Sequence, residues 1–95
     1  MLIYRYEKED GGGPFFYKDG TERAAASDGT PLILRQDMLY GCLSLDSLNL
    51  YWKDNEKYIQ NCYLTIYDVP EEEIFFGKNE VVFPSYYSPI KKVKI

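Results

Sequence analysis

Cys62-Tyr63-Leu64-Thr65-Ile66-Tyr67-Asp68-Val69 is the stretch on which the fold turns. Aromatic and β-branched residues run through it, and such side chains pack well on a pleated surface. It predicts a strand, ended by Pro70, which has no N–H to give to a ladder. Downstream, Glu71-Glu72-Glu73 starts a short turn on the way to Ile74-Phe75-Phe76, and Gly77-Lys78-Asn79 makes the next turn. Glu80 to Phe83 is a further strand, stopped by Pro84. The chain closes with Ile90 to Ile95, whose apolar and lysine residues predict a half-exposed final strand.

Upstream of the deciding stretch, Ser44 opens a helix that runs to about Asn55. Serine is a good N-cap, and Asp46 sits where a helix N-terminus favours negative charge. Leu45, Leu48 and Trp52 fall at i, i+3 and i+7 and give this helix one apolar face. Met38 to Leu43 reads as a buried strand, and Leu2 to Tyr6 as the first strand of the chain. Between them, Gly11-Gly12-Gly13-Pro14 marks a loop that lacks the strand–loop–helix spacing of a phosphate-binding motif. Phe15-Phe16-Tyr17 is an aromatic patch, and Asp19-Gly20 is a turn signal. Short helical turns are expected over Glu22 to Ala26 and from Pro31, with positions 18–38 the least decided part of the chain. The sum is an α+β chain, a small mixed or antiparallel sheet of about five or six strands with one main helix, in a single domain over residues 1–95.

Composition narrows the function. Aromatic residues make up 17% of the chain, ten of them Tyr, which is too aromatic for a disordered segment. The net charge of −4 disfavours direct binding to nucleic acid, because phosphates must be neutralised by a basic surface. There is no histidine, which removes Ser-His-Asp and Cys-His catalysis. Cys42 and Cys62 alone cannot hold a zinc ion, and with apolar neighbours they read as buried thiols, so no metal site is expected. Charged residues from Arg5 to Asp10 break any signal-peptide pattern, and no apolar run reaches membrane-spanning length. A cytoplasmic setting with reduced thiols is the expectation.

Four segments in order resemble the core of ADP-ribosyltransferases: Ile3-Tyr4-Arg5, Tyr40-Gly41-Cys42-Leu43-Ser44, Tyr67-Asp68-Val69-Pro70-Glu71, and Glu80-Val81-Val82-Phe83-Pro84 leading to Ile90-Lys91-Lys92-Val93. The resemblance implies an ADP-ribosyltransferase-like fold and NAD as cofactor. By position it implies that Arg5 holds a phosphate or ribose of NAD, a task suited to a forked guanidinium. Tyr40 would stack near the nicotinamide, Ser44 would support the site by hydrogen bonding, and Glu80 would be the catalytic carboxylate. The chain departs from that family in three places. Cys42 stands where a serine is usual, Lys78 stands two residues before Glu80, and the helical region between the first two segments is nearly absent. The same residues also read as structure: Arg5 as an ion-pair residue, Ser44 as an N-cap, Glu80 as a strand-edge charge, and Tyr4, Tyr40 and Tyr67 as core or rim.

The N-terminal Tyr-Arg with Gly-Gly-Gly-Pro-Phe is similar to a set of small phage proteins. That resemblance implies a phage or mobile-element accessory protein, and an acidic one suits an inhibitor of a host defence protein, of the anti-CRISPR kind. Glu7, Glu9, Asp10, Asp68, Glu71, Glu72 and Glu73 are the residues expected to imitate a nucleic-acid backbone to a basic groove. Two alternatives stand beside this reading. One is an NAD-dependent transferase built on Arg5, Ser44 and Glu80. The other is a homodimer or larger self-assembly through the tyrosine-rich surface.

Overall fold

The computed structural model describes residues 1–9, 11, 38–78 and 80–95. The aromatic patch at 15–17, the turn at 19–20, the helical turns expected between 22 and 37, and Asp10 lie outside the described residues.

The first strand, β1 (Leu2–Glu7), is followed by β2 (Met38–Gly41) and the helix α1 (Leu45–Trp52). After a 3-10 turn at Glu56–Tyr58 comes the deciding strand, β3 (Tyr63–Asp68). A second 3-10 turn, Glu71–Glu73, leads to β4 (Phe75–Phe76), β5 (Val81–Pro84) and β6 (Lys91–Lys94). The described residues thus form an α+β architecture: six strands in two three-stranded antiparallel sheets, ordered β1-β3-β6 and β2-β5-β4, with one main helix. No helix among the described residues is long and apolar enough to cross a membrane.

The two sheets meet at a single rung. Tyr4 N–H donates to the Cys42 carbonyl at 2.7 Å, and Cys42 N–H donates to the Tyr4 carbonyl at 2.8 Å. This rung joins β1 to the end of β2, so the strands follow one another as β6-β3-β1-β2-β5-β4. It needs Gly41. A Cβ placed there would stand 2.4 Å from Ile3 Cγ2 and 3.0 Å from the Tyr4 carbonyl oxygen. Ile3 is wholly buried and its β-branch is stiff, so neither atom can yield cheaply.

Strand alternation divides the core. In β1, Ile3, Arg5 and Glu7 share one face, and Tyr4 and Tyr6 share the other. On the first face Ile3 and Tyr67 pack with Val69, Ile74, Val81 and Phe83, which closes sheet β1-β3-β6 onto sheet β2-β5-β4. The Tyr67 and Phe83 rings lie 4.9 Å apart at 54°. On the second face Tyr6 packs with Cys42, Leu48, Trp52 and Cys62 under α1, and Tyr6 Oη donates to Asn49 Oδ1 at 2.6 Å. Fully burying one such side chain stabilises by about 1.5–3 kcal/mol.

The helix begins as expected: Ser44 Oγ accepts from Ser47 N–H at 3.0 Å. It stops at Trp52 and not near Asn55. The residues Lys53 to Glu56 offer nothing to bury, and tight turns take over, with Asn55 N–H on the Trp52 carbonyl at 2.9 Å. Leu48 and Trp52 are buried, whereas Leu45 stands at the exposed start of the face assigned to it. Pro84 does not stop the strand after Phe83 but forms its last residue, opposite Met38, and Glu80 lies before its start. The last strand, β6, is exposed along its whole length.

Candidate functional site

Two groups of charged and aromatic side chains have the makings of a site, one inside the molecule and one outside. The inner group is built on the first face of the β1–β3 ladder, where Arg5 opposes Thr65 and Ile3 opposes Tyr67. Arg5 is 5% exposed and Glu7 2%. Arg5 Nε lies 2.9 Å from Glu7 Oε2, but its N–H is not aligned on that oxygen, so the attraction is one of charge more than of a directed bond. Tyr67 Oη donates to the same Glu7 oxygen, and Arg5 Nη1 donates to the Tyr40 carbonyl at 3.1 Å. Thr65 Oγ1 closes the group by donating to the Arg5 carbonyl at 3.0 Å. Burial lowers the Arg5 guanidinium from its ordinary value, while Glu7 and Tyr67 oppose that shift. Burial also raises the Tyr67 phenol, and its bond to Glu7 adds to the rise. Chemically this is a buried ion pair whose charges face each other, with Arg5 Nε left without a directed hydrogen bond.

The residues that the transferase resemblance singled out are linked only pairwise. Arg5 reaches the Tyr40 backbone, and Glu80, half-buried, acts on both Tyr40 and Cys42. Burial first, and Glu80 second, push the Cys42 thiol up to about 11. A thiol held that high stays protonated at neutral pH and is no nucleophile. Ser44 is engaged as the cap of α1.

The acidic residues expected to face a partner do not form one surface. Glu7 is inside, paired with Arg5, because position 7 falls on the buried face of β1. Glu9 follows the end of the ladder where Glu7 opposes Tyr63, whereas Asp68 opposes Leu2 at the other end. At about 3.3 Å per strand residue the two are roughly 20 Å apart. Asp68 accepts from the Met1 ammonium at 3.1 Å and stays 62% exposed. Glu71, Glu72 and Glu73 follow Asp68 closely, so these four acids gather at the C-terminal end of β3.

That gathering is the outer group. Glu71 and Glu72 are exposed, and Glu73 is half-buried where Tyr86 Oη donates to it. Next to them Phe75 is 67% exposed, Phe76 53% and Tyr86 70%. Tyr86 and Tyr87 lie ring to ring at 4.8 Å, with Tyr87 packed on the core. Reading the sequence alone overlooks Phe75 and Phe76 as surface residues. The signal for them was available, because adjacent residues in a strand point to opposite faces, and Phe75-Phe76 cannot both enter one core. The inner pair also had a signal: Arg5 and Glu7 are opposite charges two apart in a strand, and so share a face.

The family model described as Bacteriophage T4 Y00F protein matches residues 1–94, and the chain belongs to that family. No curated protein and no solved structure matches the chain.

Proposed function

We propose that this phage-family protein works by binding a host protein, and that it inhibits a defence protein by offering an acidic strip to a basic nucleic-acid-binding groove. The observation that carries the reading is the outer group: exposed Glu71 and Glu72 set beside exposed Phe75, Phe76 and Tyr86. Exposed aromatics clustered with one sign of charge are the composition of a protein-binding surface, where the rings supply affinity and the charges steer approach. The working residues are therefore Asp68, Glu71, Glu72 and Glu73 with the three rings, and Glu7 is left as a structural member.

The test is capture from host lysate with the purified protein as bait, at low and at high salt. A host protein retained at low salt, released by a nucleic-acid duplex and lost with Glu71→Gln/Glu72→Gln or Phe75→Ser supports the reading. If the wild type and the variants retain the same proteins, or none is released by nucleic acid, the reading is wrong.

A second reading, an NAD site of the ADP-ribosyltransferase kind, draws on the pairwise links of Tyr40 to Arg5 and to Glu80. It requires the guanidinium to exchange Glu7 for a phosphate. A thermal-shift titration decides it: no rise in Tm at millimolar NAD removes this reading, and a saturable rise that Glu80→Ala abolishes keeps it.

A further inference from the structure

In the strand succession β6-β3-β1-β2-β5-β4, the two outermost strands are β6 and β4. Among the described residues β6 pairs only with β3, and β4 only with β5. The bonding alternation of antiparallel strands tells which backbone groups are left outward. Ile95 N–H donates to the Cys62 carbonyl, in the register that sets Val93 opposite Leu64. Val93 and Lys91 therefore bond inward to β3, and Lys92 and Lys94 turn their N–H and carbonyl groups away from the sheet. On the other edge Gly77 N–H donates to the Glu80 carbonyl at 2.8 Å, in the register that sets Phe75 opposite Val82. Phe75 bonds inward, and the Phe76 groups turn outward.

The two edges carry opposite charge. β6 displays Lys91, Lys92 and Lys94, all exposed, with no acid among them. Lys92 and Lys94 are held over the Tyr63 ring at 4.9 and 5.0 Å, which fixes two of the three ammonium groups in place. β4 is entered from Glu71, Glu72 and Glu73, and Lys78 is the one cation that follows it before β5 among the described residues. Each edge repels its own kind, since lysines on an edge strand keep like edges apart and a row of glutamates does the same. The pairing in which both rows attract is β6 against β4. Apolar side chains exposed at both edges, Val93 on one and Phe75 and Phe76 on the other, give that pairing something to bury.

We propose that the protein associates with a second copy of itself head to tail, the β6 edge of one copy adding to the β4 edge of the next. Lys91, Lys92 and Lys94 face Glu71 and Glu72, and the outward backbone groups of Lys92, Lys94 and Phe76 supply the rungs. Such a contact is heterologous: each added copy leaves one acidic and one basic edge open, so association runs on as a chain unless it closes into a ring. The strands are short, so the contact is weak and depends on concentration and salt. The inference does not rest on a host partner, but it uses the same acidic edge, so self-association and partner binding compete.

The experiment is sedimentation velocity on the purified protein over a concentration series, at about 0.1 M salt and at about 1 M, where the screening length falls from about 10 to about 3 Å. The expected result is a mean mass that rises with concentration at low salt and returns to the monomer at high salt. Two charge-reversed variants sharpen it, Lys92→Glu/Lys94→Glu and Glu71→Lys/Glu72→Lys, each first shown by its melting curve to be folded. Each alone should be monomeric at low salt, and a mixture of the two should associate again, because each then offers the other an opposite edge. A wild type that stays monomeric overturns the proposal. So does association that survives in either variant or at high salt, or a mixture that fails to restore it. Lys92→Glu/Lys94→Glu keeps the acidic edge, so host-protein capture that survives in this variant separates the fate of the two proposals.

Discussion

Two tyrosine–glutamate bonds in this molecule use the same chemistry in opposite surroundings. Tyr67 donates to Glu7 inside, and Tyr86 donates to Glu73 at the surface. Both phenols are raised above the ordinary value, but for different leading reasons. Burial leads at Tyr67, whereas the bond to Glu73 leads at Tyr86. Water can replace either partner of the outer bond when it breaks. It cannot reach the inner one, where a lost donor leaves Glu7 and Arg5 short of a partner in a dry site. The comparison teaches that the inner group is held by need and the outer group is available for exchange, which is why binding is assigned to the outer one.

The strongest way to break this comparison is to remove a charge from the inner group. Arg5→Ala strands the Glu7 carboxylate, and urea denaturation should show a loss of about 3–5 kcal/mol. The triple change Arg5→Met/Glu7→Leu/Tyr67→Phe removes both charges together with the phenol that donates to Glu7, and should recover most of that loss. If the single change costs nothing, the inner pair is not a determinant of stability and the contrast collapses. Next in size, Tyr67→Phe removes one donor from Glu7 and should cost about 1–3 kcal/mol by the same measurement.

The alkaline limb of stability sharpens the comparison further. The folded values of Tyr67 and Cys42 lie above their ordinary values of 10.0 and 9.0. As pH rises the unfolded chain therefore loses these protons first, and the folded state binds more protons than the unfolded one. Stability is full below pH 9 and falls as pH climbs through the range in which the folded groups titrate. Denaturation midpoints measured from pH 8 upward should show this fall, with Tyr67→Phe flattening its upper part. The smallest effect is expected at the surface. Tyr86→Phe should leave the denaturation midpoint where it is and reduce only the capture of a partner, and a clear drop in the midpoint would place Tyr86 with the inner group.

Much of the fold was legible because its signals are local. The aromatic and β-branched run at 62–69 needs only a partner to become β3, and Ser44 caps α1 with its own hydroxyl three residues ahead. The order of strands across the two sheets was not legible, since β1 pairs with a strand about sixty residues further on, and no local pattern encodes that register. The burial of Glu7 was legible only in part. Arg5 and Glu7 stand two apart and so share a strand face, but the alternation does not say which face of β1 is buried, and packing against Tyr67 decides it. Phe75 and Phe76 form a strand of only two residues on an outer edge, too short to give a pattern of its own and with no core to reach.

Gly41 has a consequence in heredity. Every single-base change in a glycine codon that alters the amino acid without ending translation introduces a residue with a Cβ. At position 41 each of those residues would place that carbon 2.4 Å from Ile3 Cγ2, against the rung that joins the sheets. The codon is thus opposed at every missense step while Ile3 and the Tyr4 carbonyl stand where they do.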